Sequence, residues 1–116
     1  MVSGRSDALL VVPTPLFLLH RTRLVELAAK ARLPTVYGAK EYAEAGGLMA
    51  YGTNYLYNYR YAAVYVDKIL KGAKAADLPV EQPTRFALTI NLKTAKTLGL
   101  TIPQALLLRA DQVIDP

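Results

Sequence analysis

The chain has 116 residues, no cysteine, and 14 Lys and Arg against 9 Asp and Glu, for a net charge of +5. That length suits one modest domain, and an apolar fraction of 53% with 20% charged residues describes a folded chain, not a disordered one. Without cysteine, disulfides and thiolate metal sites are excluded. Nucleic acid is not an expected partner, because Arg5, Arg21, Arg23, Lys30, Arg32, Lys40 and Arg60 are scattered and form no dense run. Lys68, Lys71 and Lys74 do cluster, at the end of an expected helix where cations complement the dipole.

The amino terminus, Met1 to Ser6, lacks the apolar core of a signal peptide. Ala8 to Leu19 is the longest apolar run, but Pro13 and Pro15 interrupt it and it falls short of the roughly 20 residues of a membrane span. Its first part, Ala8 to Val12, reads as a strand buried on both faces. Leu16, His20, Leu24, Leu27 and Ala31 recur at helical spacing, which predicts one amphipathic helix over 16–32. Leu33-Pro34 breaks it, and Thr35 to Tyr37 forms a second strand. A short helix over Ala39 to Ala45 is stopped by Gly46-Gly47, and Leu48 to Tyr51 is a third strand. Thr53 or Asn54 caps a long helix with Tyr55, Tyr59, Ala62, Val66 and Ile69 on one face, ended by Gly72.

Strand, helix, strand, short helix, strand, helix is the order of a parallel sheet with right-handed crossovers. The expected fold class is therefore α/β, a three-layer Rossmann-like lobe over residues 7–75. Residues 76–116 follow as an extended segment, a strand and short helices. Leu78 to Pro83 is extended, and Phe86, Leu88 and Ile90 alternate up to Asn91. Asn91 caps a helix over Leu92 to Leu98 closed by Gly99, and Thr101 caps a last one. A lone three-stranded parallel sheet leaves both edges open, so the architecture reads as incomplete, either a fragment or a swapped dimer.

The catalytic motifs are missing. There is no phosphate-binding glycine loop, no dinucleotide fingerprint and no nucleophile elbow. His20, the single histidine, sits on the helical stripe, and Glu41 with Glu44 reads as a solvated helix face. An enzyme, a metal site and a cofactor are not expected. Open parallel sheets bind ligands beyond the carboxyl ends of their strands. Those ends are Pro13-Thr14-Pro15, Tyr37-Gly38 and Tyr51-Gly52-Thr53-Asn54. The last combines an aromatic ring, a glycine that permits close backbone approach, two polar side chains and a helix amino terminus. Tyr57, Tyr61 and Tyr65 form a second aromatic stripe on the long helix, roughly opposite Tyr55 and Tyr59. No other segment of the chain is expected to cover it, so it reads as an interface with a partner chain or a further lobe.

Several long segments carry a family resemblance. They are Arg32 to Gly38, Glu44 to Gly52, Ala62 to Gly72, Ala76 to Thr84, Ile90 to Lys96 and Leu98 to Pro103. Together they resemble the carboxy-terminal part of the ABC-transporter substrate-binding family that includes tryptophan-binding-protein-like members. The resemblance runs from about Asp7 to Ile114. It implies a type I periplasmic-binding-protein-like fold, with two α/β lobes hinged around a solute cleft and a periplasmic or extracellular location. It further implies a small-molecule solute, an amino acid in some members, and delivery to an ABC permease. By position it places Thr14, Tyr37, Tyr51, Thr53 and Asn54 in the cleft. Thr53 stands where many relatives have proline, and Tyr57 and Tyr61 where relatives usually have polar or charged residues, which strengthens the interface reading. The alternative is a stand-alone module that forms a homo-oligomer through its sheet edges and tyrosine stripe, with no ligand of its own.

Overall fold

A computed structural model describes residues 4–116. Its contacts divide the chain into two compact units, one of residues 1–52 with 87–116 and one of residues 53–86. The chain passes between them at Gly52–Thr53 and again at Phe86–Ala87. The sequence expectation of a lobe ending near residue 75 thus gives way to a boundary that opens earlier and returns.

The larger unit is built on a sheet of order β1-β2-β3-β4-β5, comprising Leu9–Val11, Thr35–Tyr37, Met49–Thr53, Phe86–Asn91 and Gln112–Ile114. The pairs β1–β2, β2–β3 and β4–β5 are parallel. The expected strand up to Asn91 joins the three of the lobe as β4, and β5 is the one not expected, since it carries only three residues with no period for a sequence reading to find. Asp111 fixes it: its carboxylate accepts from the Leu88 amide at 2.8 Å while its own amide donates to the Leu88 carbonyl at 2.9 Å.

Strand register sorts side chains between the two faces. Val11, Tyr37 and Ala50 are aligned and buried, and Thr35 is buried on the same face. α2 (Arg21–Lys30) contributes buried Val25 and Ala28 to this side, and α3 (Lys40–Glu44) contributes Tyr42 and Ala43. On the opposite face Leu10 is 70% exposed and Val36 and Met49 are half-buried. β1 buries Val11 alone, which corrects the reading of the first strand as buried on both faces, whereas Thr89 and Ile90 of β4 are buried on opposite faces of the sheet.

The first helix is also corrected. It is two helices, α1 (Pro15–Leu19) and α2, separated at His20, whose φ of −100° and ψ of 22° leave the helical region. Burial follows Val25 and Ala28, while Leu16 and Leu27 of the expected stripe face solvent.

The polar core is hydrogen-bonded throughout α5 (Leu92–Leu98) and its cap. Asn91 accepts from the Thr94 amide at 3.1 Å and donates to the Ala43 carbonyl at 3.1 Å; Thr94 Oγ1 donates to the Gly46 carbonyl at 2.7 Å. Gly99 ends α5 at φ 74°, a left-handed conformation that favours glycine. The final helix, α6 (Gln104–Leu107), begins after Pro103 with no side-chain cap, so the capping expected of Thr101 is not made.

The smaller unit consists of α4 (Tyr55–Leu70), a 3-10 turn at Ala75–Asp77 and an extended strap over 78–85. α4 has no buried residue. One of its stripes, Leu56, Tyr59, Ala63, Val66 and Leu70, is exposed along its whole length, with Leu70 at 81%.

Candidate functional site

At the carboxyl ends of β1, β2 and β3 the chain segments approach closely at two glycines. A Cβ on Gly52 would collide with the Gly38 carbonyl, and one on Gly38 would strike the Pro13 ring. Close approach at Gly52 is therefore to a neighbouring strand end, which is why this position takes no larger residue.

Around this rim the expected residues have distinct placements. Thr14 is exposed at the amino end of α1, and its Oγ1 accepts from the Phe17 amide at 3.1 Å. Tyr51 is 56% exposed near the end of β3. Tyr37 departs from the expectation. At 1% exposure it stacks on Tyr42, with ring centroids 4.9 Å apart and an interplanar angle of 11°. Burial pushes its phenol above the usual range, Thr35 partly opposes this, and Tyr42 adds to it. It is a core ring, placed there by the strict alternation of β2, whose outer residues Thr35 and Tyr37 share the helix-covered face.

In the smaller unit, Asn54 is the cap of α4. Its Oδ1 accepts from the Tyr57 amide at 3.0 Å, and its own amide donates to the Arg85 carbonyl at 3.3 Å. Thr53 precedes it, half-buried. The first turn of α4 holds no acidic side chain, so the helix dipole there is uncompensated within the helix.

The tyrosine stripe is covered, against expectation, by the chain's own strap. Tyr65 donates its hydroxyl to the Pro79 carbonyl at 2.9 Å, and the Arg85 guanidinium lies 4.5 Å from the Tyr57 ring centroid. Tyr61 is pushed up to about 12, chiefly by its hydrogen bond to Glu81. Tyr65 is raised as well, first by desolvation and then by Glu81. Glu81 and Arg85 went unseen in the sequence because a Pro-bounded extended segment has no periodicity that would dock it on a helix.

Glu41 and Glu44 do not act as a pair: Glu44 bonds Lys40 at 3.2 Å. His20 is exposed at the helix junction. Among the described residues no group of three or more His, Cys, Asp or Glu could hold a metal ion, and no helix is long and apolar enough to cross a membrane.

A mostly parallel five-stranded α/β sheet of this kind is periplasmic-binding-protein-like, as in the solved structures it matches. The model of the ABC transporter substrate binding protein family matches residues 3–114, and the chain belongs to that family. It is similar to a conserved domain protein from Vibrio cholerae O1 biovar El Tor, at 29% identity and a TM-score of 0.88, over 94% of this chain and 37% of that one. A Streptococcus pneumoniae ABC domain in complex with L-Trp is similar at 30% identity and a TM-score of 0.87, over 95% of this chain and 37% of that one. A ligand-free, open substrate binding protein with adhesive properties from Clostridium difficile shares the fold at 23% identity and a TM-score of 0.66, over 97% of this chain and 38% of that one. The chain thus spans little more than a third of the solved structures it matches. No curated protein matches it.

Proposed function

We propose that this chain is the carboxy-terminal portion of a non-enzymatic solute-binding component of an ABC importer, working with a permease outside the cytoplasm. The family match over nearly the whole chain carries the reading. The L-Trp complex of a 30% identical relative supports an amino acid as the solute class. Thr14, Tyr51, Thr53 and Asn54 are the residues assigned to solute contact, with Tyr37 supporting them from the core. The free amides and dipole at the start of α4 suit a carboxylate, and an exposed tyrosine suits an apolar ring.

The uncovered faces support the partial character of the chain. The bare stripe on α4 and Leu10 on β1 are apolar surfaces exposed in this chain, of the kind that mark a missing contact. A small solute enclosed from two sides loses much of its contact when one side is absent. Isothermal titration with L-tryptophan and an amino-acid panel tests the proposal, first with this chain alone and then with the remainder of the fold supplied. Heat is expected only in the second case. If neither mixture gives heat, the chain is better read as an oligomerising interaction module, and sedimentation would then show more than a monomer.

A further inference from the structure

The smaller unit holds a groove that solute binding at the strand ends does not use. Tyr57, Tyr61 and Tyr65 lie one turn apart along α4. The first two stack with centroids 6.1 Å apart at 14°, and the second and third meet edge to face at 5.7 Å and 67°. The strap runs opposite them and leaves a cavity of about 540 Å³, within the range of small-ligand pockets. Among its lining residues Glu81 alone carries a charge.

Two cations of the unit itself show what these rings attract. Arg85 lies 4.5 Å from the Tyr57 centroid and Lys68 Nζ lies 5.6 Å from that of Tyr65. Ring faces are electron-rich, and positive charge settles over them. Between these two rings Tyr61 lines the same groove as Glu81, whose carboxylate acts on its hydroxyl. We propose that this groove binds a small organic ammonium ion, its cationic head held between the Tyr61 ring and the Glu81 carboxylate. An inorganic divalent ion is a poor fit, because one carboxylate falls short of the six or more oxygens such ions take. An anion is opposed by both Glu81 and the ring faces. Alkyl groups on the ammonium pack against Pro79, Pro83 and the tyrosines, which the hydrated head of a sodium ion cannot do. The flanking Arg85 and Lys68 hold the affinity down, to a dissociation constant on the order of 1 mM.

Tetramethylammonium chloride titrated into the 116-residue chain, with sodium chloride at matched ionic strength as the control, tests this through the tyrosine ring signals in NMR. Saturable shifts at Tyr57, Tyr61 and Tyr65 are expected with tetramethylammonium only. Glu81→Gln, an exposed substitution, is expected to fold as the parent does by circular dichroism and to bind roughly fivefold more weakly. Tyr61→Leu should abolish the shifts at the two outer rings. Bound cation should also lower the pH at which Tyr61 ionises, read by tyrosinate absorbance, because positive charge favours the phenolate. Absent or unsaturable shifts, equal shifts with sodium, or unchanged affinity in Glu81→Gln would each overturn the proposal.

Discussion

The two units of this chain are stabilised in different ways. Residues 1–52 with 87–116 enclose a core of Val11, Tyr37, Tyr42, Ile90 and their neighbours, with Asn91 and Thr94 tying α3, β4 and α5 together by hydrogen bonds. Residues 53–86 have no buried side chain on α4 and are held by a strap touching three tyrosines. An isolated helix of 16 residues is marginal in water. The contrast teaches that one unit is organised around a buried side-chain core and the other along a helix and its strap.

The largest expected effect breaks the larger unit. Asn91→Ala leaves the Ala43 carbonyl and the Thr94 amide without their partner inside the core, and should cost about 2–4 kcal/mol in urea unfolding. Gly52→Ala pushes a methyl into the Gly38 carbonyl and should cost about 1–3 kcal/mol by the same measurement. Retention of full stability by either variant would show that the strand ends are looser than their contacts require.

Smaller effects belong to the smaller unit. Asn54→Ala removes the cap of α4 and should cost about 1 kcal/mol, seen as faster amide exchange in its first turn and not in α5. Leu70→Lys on the bare stripe should stay within about 0.5 kcal/mol of the parent in this chain. A much larger loss would show that the stripe is already covered, for instance by a second copy.

The strap carries a pH signature. The Tyr61 phenol is raised from 10.0 to about 12, so its neutral form is the one favoured by the folded arrangement. That contribution is complete below pH 10 and is lost as pH rises through about 12. Glu81→Gln should move the Tyr61 ionisation back toward 10.0 in an absorbance titration.

Much of this was legible in the residues. Asn54 and Asn91 as helix caps, Gly99 as a helix end and Thr35 to Tyr37 as a strand all follow from local chemistry that neighbouring side chains and backbone settle between themselves. Reading fails where the outcome depends on distant segments. His20 divides a periodic run in two, and β5 exists only because Asp111 and Leu88 exchange hydrogen bonds across 23 positions. Tyr37 shows the same limit within the candidate site, for a residue at a strand end can face cleft or core, and pairing register chose the core.

By itself the sequence determined the family and the α/β alternation, because long ordered segments, helix caps and hydrophobic patterning are local properties of the chain. Only the tertiary structure decided where the chain crosses between units, that β1 leaves Leu10 exposed, and that the tyrosine stripe meets the chain's own strap. Those are choices among partners far apart in sequence, and packing, not periodicity, settles them.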